Sequence, residues 1–337
     1  MYPALFWALS QRYYNNTEVP NFMAISKTKV AILGVGKVGA ALAYHLTVSQ
    51  ICDELVLVDL DQQKAWAEAT DLQHSLGFSG HRMNIRDGSY YDCADADICV
   101  LSVAAQFPPN TPRLEMIDRA AAMVGRIVPS VMATGFDGIF LVITSPVDLM
   151  TWLVQQLSGL PAEHVIGTGT ALDTARLRYY LADALDVDPR SVSACVLGEH
   201  GENQMIPWSQ VSVAGKPLTE ILKDNPERLP DFDRDALLNT IADITYQLRS
   251  VKGATTYGIA SITAEIIKVL LHDGQKILPV SAMLHGEYGH EDVYVGVPAV
   301  LGASGVKELV EYHLTGEEQS QFDRAVEALE QYMTDIS

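Results

Sequence analysis

The chain has 337 residues, 48% hydrophobic and 19% charged, which is a globular balance with enough apolar material for a large core. Its formal net charge of −19 disfavours nucleic acid and anionic membrane as partners, and an anionic substrate would need arginines placed close to it. The 4 cysteines form no CxxC pair, and no apolar run approaches the roughly 18 residues of a membrane span, so we expect a cytoplasmic protein with reduced thiols.

The first segment, residues 1–22, is expected to be an N-terminal extension without a role in the fold. It opens with the short apolar run "MYPALFWALS", which no Lys or Arg precedes, so it lacks the charged region of a secretory signal. Met23 begins "MAISKTKVAILGVG", which has the pattern of a natural start.

Strands and helices alternate from Thr28 onward. Apolar runs predict buried strands at 29–34, 54–59, 95–104 and 138–144, and helical spacing predicts helices at 37–50, 61–76, 113–132 and 147–157. Short turns join these elements, which is typical of a doubly wound parallel sheet of the α/β class.

The pattern changes after about residue 165 to that of an α+β domain. We predict strands at 191–198, 208–215, 276–284 and 292–301, the last two antiparallel, and helices at 232–251, 256–271 and 316–335. No flexible linker separates the halves, so we expect a domain of residues 23–166 to pack directly on a domain of residues 167–337.

A dinucleotide-binding motif follows the first predicted strand. It is the GxGxxG run of residues Gly34, Val35, Gly36, Lys37, Val38 and Gly39. The glycines permit a tight turn and a close approach to a pyrophosphate at the helix N-terminus. Asp59 ends the next strand, where a carboxylate binds a ribose 2′-hydroxyl and repels a 2′-phosphate, so NAD is expected and residues 23–166 are predicted to be a Rossmann domain. The alternative is that Asp59 only caps a strand end.

His200 lies in "VLGEHGENQ" and has the side-chain type that carries protons near neutral pH, although a histidine in such a turn can also be an ordinary loop residue. In "GTGTALDTARLRYY", Asp173 and Arg176 share one face of a predicted helix. Asp173 could orient His200 and raise its pKa, and Arg176 could bind a substrate carboxylate through two hydrogen bonds. The alternative for this pair is a solvated surface ion pair.

A second arginine, Arg113, lies in "AAQFPPNTPRLEMIDR", residues 104–119, after a strand at the carboxyl edge of the sheet. The segment is long enough to act as a lid that brings Arg113 over a substrate carbonyl and excludes water. Alternatively, Arg113 is a solvated residue in the first turn of a helix.

These motifs, in this order, resemble the L-lactate dehydrogenase family, nearest to the L-2-hydroxyisocaproate dehydrogenases. The matching stretches are "ILGVGKVGAALAYHL", "LVLVD", "PRLEMIDR", "SPVD", "VIGTGTALDTARL", "DPRSVSACVLGEHG" and "VKGATTYGIA". The resemblance implies a lactate/malate dehydrogenase-like fold, NAD-dependent oxidation of an L-2-hydroxy acid, and a homotetramer or dimer. It implies that His200 is the acid/base, Asp173 its partner, Arg176 the carboxylate clamp and Arg113 the arginine of the mobile loop.

The resemblance also assigns the substrate pocket. It implies that Thr255 lines the pocket and that Ile259 packs on the nicotinamide. Ser145 stands where the family usually has an Asn that contacts both substrate and cofactor, so reduced turnover or altered pocket geometry is expected. Phe107 stands where malate enzymes carry a second arginine, which excludes oxaloacetate because its second carboxylate would be unpaired.

Pyruvate and branched 2-oxo acids such as 2-oxoisocaproate both remain open as substrates. A non-catalytic NAD-binding protein on the same scaffold is a competing hypothesis, supported by Ser145 and the N-terminal extension. An NAD-using glycosidase would need a cluster of metal ligands, and the sequence suggests none, so no metal is expected. Arg178 fits the effector site of lactate dehydrogenases activated by fructose 1,6-bisphosphate, but Ser193 replaces the histidine of that site, which predicts no such activation.

Overall fold

A parallel sheet forms the first half of the protein in the computed structural model, which describes residues 27–78, 80, 82–104, 113–227, 229 and 232–336. Its strands are β1 (Lys29–Leu33), β2 (Glu54–Val58), β3 (Asn84–Asp87), β4 (Ile98–Leu101), β5 (Ile139–Val142) and β6 (Val165–Gly167), in the spatial order β3-β2-β1-β4-β5-β6. Every residue of β1, β4 and β5 is buried, as expected of strands covered on both faces. The predicted doubly wound sheet is confirmed.

Helices connect these strands and leave their carboxyl ends at one edge of the sheet. They are α1 (Lys37–Ser49), α2 (Gln62–Ser75), α3 (Arg113–Met132) and α4 (Val147–Ser158). Gly34, Asp59 and Ser145 all follow strands at that edge. In open α/β sheets, ligands bind in the crevice at this edge.

The second half extends the same sheet and adds a separate three-stranded sheet. The strands of this half are β7 (Val192–Ser193), β8 (Leu197–Gly198), β9 (Gln204–Met205), β10 (Ser212–Val213), β11 (Lys216–Pro217), β12 (Lys276–His285), β13 (Glu291–Gly302) and β14 (Gly305–Leu309). In the separate sheet, β10 lies between β7 and β11. β12 joins β6 where Ser281 pairs with Gly167, and it pairs antiparallel with β13 as predicted. A Cβ on Gly167 would lie 2.7 Å from the Cβ of Ser281, so only glycine permits this junction.

The helices of the second half are α5 (Ala171–Leu185), α6 (Leu218–Asp224), α7 (Arg234–Lys252), α8 (Tyr257–Leu271) and α9 (Gly316–Ile336). α8 packs along α1 and thereby brings the two halves together. Within the described residues, no single helix is long and apolar enough to cross a membrane. The pair α7 and α8 passes that test only jointly, and it is bent by 116°.

The predicted strands at 191–198 and 208–215 are wrong in extent. The first consists of two two-residue strands, because the backbone groups between them bond to side chains of the preceding helix segment. Thr170 Oγ1 donates to Val196 O, Val196 N donates to Thr174 Oγ1, and Arg178 Nε donates to Ala194 O.

The second, 208–215, begins with a single 3₁₀ turn at Trp208–Gln210, which is followed by the short strand β10. The strand predicted at 95–104 forms only over β4. The short elements β3, α6 and β14 were not predicted; β3 has the sequence "NIRD", whose single apolar residue gives no strand pattern. All four cysteines, Cys52, Cys93, Cys99 and Cys195, are buried and free, as expected for buried thiols.

Candidate active site

The glycine-rich loop between β1 and α1 has a geometry that requires its outer glycines. Gly34 has a φ of +99°, and a Cβ there would lie 2.8 Å from the carbonyl oxygen of Ser102. A Cβ on Gly39 would lie 2.0 Å from the carbonyl oxygen of Gly34, so this glycine lets the helix pack against the loop. The loop is therefore held tightly between β1, β4 and α1.

The middle of this loop is open. Gly36 is the N-cap of α1 and supplies no side-chain cap to the amides of the first helical turn. A Cβ on Gly36 would meet no atom of the described residues within 4 Å. Val35 is fully buried and Val38 is half-buried, so the loop presents its backbone rather than these side chains. Uncapped amides beside open space fit the pyrophosphate of a dinucleotide.

Asp59 is fixed beside the loop by two backbone amides. Its Oδ2 accepts a hydrogen bond from Val35 N at 2.9 Å, and its Oδ1 accepts one from Asp61 N at 3.0 Å. A carboxylate has about four acceptor sites, so both oxygens can accept a further donor such as a ribose hydroxyl. The position of Asp59 therefore fits the adenosine ribose of NAD.

Lys37 connects the loop to the turn between α7 and α8. Its Nζ donates to Lys252 O at 3.1 Å, and a Cβ on Gly253 would lie 2.4 Å from that nitrogen. Thr255 and Ile259 follow this turn. The Oγ1 of Thr255 is buried and has no partner among the described residues, and Ile259 is half-buried on α8. The turn thus places the predicted pocket residues next to the cofactor loop.

His200 and Asp173 form a close pair. His200 Nδ1 lies 2.6 Å from Asp173 Oδ2, and the side chains are 25% and 2% exposed. The negative charge of Asp173 raises the pKa of His200 to about 9 against the opposing effect of burial. This is the expected arrangement of a proton carrier with an orienting acid. An ordinary loop histidine would have no such buried partner.

Arg176 completes a buried chain of charges. Its Nη1 donates to Asp173 Oδ1 at 3.2 Å and to Thr245 Oγ1 on α7 at 2.7 Å. Its Nη2 is buried and has no partner among the described residues. The side chain is 9% exposed, so the alternative of a solvated surface pair is wrong. Burial lowers the pKa of Arg176 while Asp173 opposes this effect, so the group stays a cation with a free donor.

Asp148 is a site residue that the sequence reasoning missed. It is 2% exposed in the first turn of α4, and its Oδ2 accepts a hydrogen bond from the backbone N of His200 at 2.8 Å. Its burial raises its pKa to about 6. Asp148 lies in the "SPVD" stretch, but nothing in its spacing from His200 indicates the contact, because 52 residues separate them.

Of three other predicted positions, the structure describes Ser145 fully, Arg113 in part and Phe107 not at all. Ser145 is exposed immediately before the N-cap of α4, three residues from Asp148. Arg113 is the first residue of α3, but its side chain lies outside the described residues, and so does Phe107. Among the residues that the structure does describe, no group of three or more His, Cys, Asp or Glu could hold a metal ion.

Two family models match the sequence. They are the lactate/malate dehydrogenase NAD binding domain over residues 28–167 and the lactate/malate dehydrogenase alpha/beta C-terminal domain over residues 170–337. L-lactate dehydrogenase 3 of Bacillus cereus is 42% identical over 308 residues, which cover 91% of this chain and 98% of the relative. An L-lactate dehydrogenase of Staphylococcus saprophyticus is 42% identical over 313 residues, covering 93% and 98% of the two chains.

Solved structures of lactate dehydrogenases are also similar to this chain. The minor L-lactate dehydrogenase of Enterococcus mundtii, in its ligands-bound form, has a TM-score of 0.89 at 40% identity. The match covers 92% of this chain and 99% of that chain. The lactate dehydrogenase MGS-M5 from a deep-sea metagenome library has the same TM-score, 0.89, at 36% identity.

Proposed function

This chain belongs to the lactate/malate dehydrogenase family and carries its NAD-binding domain, and from that premise we propose that it is an NAD-dependent L-2-hydroxyacid dehydrogenase. It would interconvert a small apolar 2-oxo acid and the corresponding L-2-hydroxy acid, with pyruvate and L-lactate as the first pair. The observation that carries the proposal is the buried chain of His200, Asp173 and Arg176, which combines a proton carrier with a cation that has a free donor.

The cofactor supplies or accepts the hydride when bound. In the reducing direction, protonated His200 donates its Nε2 proton to the oxygen of the keto group, so that hydride and proton together convert the ketone to an alcohol. Asp173 accepts the hydrogen bond from Nδ1, which fixes the ring and stabilises its charged form. In the oxidising direction, neutral His200 takes the hydroxyl proton.

Arg176 holds the substrate carboxylate in this proposal. Its Nη1 is engaged by Asp173 and Thr245, so Nη2 is the donor that supports the proposed contact. A charge-assisted hydrogen bond inside a buried site is strong and directional. Arg113 is proposed to stabilise the developing charge on the substrate oxygen from the lid, with its position at the start of α3 as support.

The substrate is proposed to be a monocarboxylic acid with an apolar side chain. No basic residue lies between Ala104 and Pro112, so a second carboxylate would lack a partner from this segment. Phe107 and the buried hydroxyl of Thr255, which has no partner among the described residues, are proposed to line the pocket. The relatives in Bacillus cereus and Staphylococcus saprophyticus are named L-lactate dehydrogenases, which favours pyruvate; branched 2-oxo acids are the second part of the proposal.

A substrate series tests the proposal. The purified protein would be assayed for NADH oxidation with pyruvate, 2-oxobutyrate and 2-oxoisocaproate, with oxaloacetate as the excluded dicarboxylate. We expect turnover with pyruvate and a gradual change of kcat/KM along the series. A steep fall with each added carbon would contradict a broad pocket, and no oxidation with any acid would favour the non-catalytic NAD-binding protein.

The expected homotetramer or dimer, the cytoplasmic location and the domain limits 23–166 and 167–337 stay predictions. Sedimentation of the same purified protein measures the first of these. A monomer at assay concentration would contradict the expected assembly.

A further inference from the structure

His200 is held at two separate points by two different carboxylates. Asp173 on α5 binds the imidazole at Nδ1, and Asp148 on α4 binds the backbone N–H at 2.8 Å. The first contact orients the ring, whereas the second fixes the chain from which the ring projects. A ring that is correctly tilted on a displaced backbone would still miss the substrate oxygen, so the two contacts have different consequences.

Among the described residues, the hydrogen bond from the His200 amide is the one of regular geometry that Asp148 accepts from a backbone donor. The hydroxyl of Ser281 on β12 also faces Asp148 and lowers its pKa as a hydrogen-bond donor, although neither this hydroxyl nor Asp148 Oδ1 has a partner of regular hydrogen-bond geometry among the described residues. Glu199 lies in the same loop as His200 and adds a negative charge that raises the pKa of Asp148, while His200 lowers it.

An acid in this setting is costly to bury, because a carboxylate that loses water needs hydrogen bonds in return. Three features offset the cost. Asp148 lies in the first turn of α4, where the helix dipole favours a negative charge, and it accepts the His200 amide. The third is the hydroxyl of Ser281 on β12, which lowers the pKa of Asp148.

The position of Asp148 in the chain gives the contact its significance. Ser145, three residues earlier, stands where the family resemblance implies a residue that contacts both substrate and cofactor, and Pro146 forms the N-cap of α4. The amide of His200 is therefore bonded to the same helical turn that follows Ser145. This turn belongs to the first half of the chain, while His200 belongs to the second.

We propose that Asp148 is a positioning residue for His200. The hydrogen bond that it accepts from the His200 amide holds the histidine loop against the start of α4, and this contact fixes the position of the imidazole relative to Ser145 and the cofactor side of the site. This inference rests on the proposed function for its catalytic consequence. The hydrogen bond from the His200 amide to the Asp148 oxygen can be tested without measuring activity.

Two variants of Asp148 and one control distinguish the effect of losing its hydrogen-bond acceptor from the effects of losing its charge and of disturbing the packing of α4. Asp148→Asn keeps an acceptor oxygen and removes the charge, and Asp148→Ala removes both. Thr151→Ala is the matched control, since Thr151 is fully buried one turn further along α4 and its hydroxyl donates to Val147 O of the same helix. Urea unfolding of each variant measures the loss of stability that any buried polar substitution on this helix produces.

The kinetic expectation is a change in kcat without a matching change in binding. Asp148→Ala should lower kcat for pyruvate roughly 10- to 100-fold, the range that follows a misplacement of about 1 Å. KM and the NADH dissociation constant, measured by fluorescence, should stay within about threefold of the wild type because no binding contact is lost. Asp148→Asn should restore kcat to within about threefold.

The same asparagine variant should move the alkaline limb of the pH profile to lower pH. Asp148 is one of the charges that raise the pKa of His200, after Asp173. Asp173 and Arg176 remain in this variant, so the shift is smaller than the one that loss of Asp173 produces. An alkaline limb at the same pH in Asp148→Asn and the wild type would contradict the view that a charged Asp148 acts on His200.

An activity-independent measurement completes the test. Hydrogen exchange at the backbone amide of His200 should be slow in the wild type and in Asp148→Asn, and faster in Asp148→Ala. Equal protection in all three proteins, or an equal loss of kcat in Thr151→Ala and Asp148→Ala, would overturn the inference. If the wild type reduces no 2-oxo acid but the amide behaves as expected, the proposed function fails while the structural contact stands.

Discussion

The cofactor loop and the His200 cluster are built in opposite ways. The loop is contiguous in sequence, from Gly34 to Gly39, and works through glycine backbone and helix amides. The cluster draws its charged side chains and their partners from α4, α5, α7 and the segment after β8. A local site can be found from its spacing, whereas a site of distant side chains depends on the whole fold.

The two regions also differ in how charge is used. Around Asp59 and Gly36, partial charges on backbone amides meet a ligand in a partly open setting. Around His200, two carboxylates and a guanidinium are 9% exposed or less. Substitutions in the cluster should therefore affect the chemistry strongly, and substitutions in the loop region should mainly change cofactor affinity.

The largest effect is expected for His200→Gln. Loss of the proton carrier should lower turnover roughly 10²- to 10⁴-fold while the NADH dissociation constant changes little. His290→Gln is a matched control, because His290 also pairs with an acid, Asp323, at 2.9 Å but lies outside the cluster. Stopped-flow kinetics and fluorescence titration measure the two quantities. Turnover retained in His200→Gln would remove His200 from the proposed mechanism.

The next effect concerns pH. Because Asp173 raises the pKa of His200 to about 9, pyruvate reduction should be lost as pH rises through about 9, where the ring loses its proton. Lactate oxidation should show the opposite limb, since it needs the neutral ring. Asp173→Asn should move both limbs toward the ordinary histidine value of about 6.5. Limbs at an unchanged pH in this variant would mean that another group titrates.

Arg176→Lys should weaken substrate binding. Lysine cannot reproduce the planar guanidinium contacts with Asp173 and Thr245 while also presenting a second donor. Loss of a charge-assisted hydrogen bond predicts a rise of KM for pyruvate of roughly 10- to 100-fold. Arg178→Lys, two residues further along α5, is the control and should keep its KM. Equal effects in the two variants would indicate a general disturbance of α5.

A smaller effect is expected from Asp59→Asn. The amide lacks the negative charge that repels a 2′-phosphate, so NADH should bind roughly three- to tenfold more weakly and NADPH more tightly. Asp61→Asn is the control, because Asp61 caps α2 by accepting from Lys64 N and asparagine caps helices equally well. Titration with both cofactors measures the preference. An unchanged preference in Asp59→Asn would support the strand-end alternative.

The smallest effect is expected from fructose 1,6-bisphosphate. Ser193 replaces the effector-site histidine that the family resemblance implies, and Arg178 Nε already donates to Ala194 O at 2.9 Å. KM for pyruvate should therefore stay within about twofold when the bisphosphate is added. A large fall in KM would show that the effector site is intact despite Ser193.

Most of the first half was predictable because its signals are local. Continuous apolar runs located β1, β2 and β5, and the glycine spacing located the cofactor loop. β3 was missed because an edge strand needs few apolar residues. The strand at 191–198 was predicted too long, because side chains at the start of α5 bind its backbone in place of a neighbouring strand.

The candidate site was predictable only in part. Asp173 and Arg176 were found because three residues separate them on one helix, and His200 because of its residue type and turn. Their burial and the 2.6 Å contact between His200 and Asp173 follow from packing between distant segments. Thr245 and Asp148 were missed for the same reason, since their partners are 69 and 52 residues away.

The sequence by itself thus determined the alternation of strands and helices, the glycine-rich loop and the residue types of the active site. The tertiary structure alone decided that β12 continues the sheet of the first half through Gly167 and that the backbone of His200 is bonded to Asp148. It also decided that Arg176 is buried with one donor that no described residue engages. The physical reason is the range of the interactions. Backbone conformation and apolar periodicity act between near neighbours, whereas hydrogen bonds between buried charged groups form only after the chain has brought remote segments together.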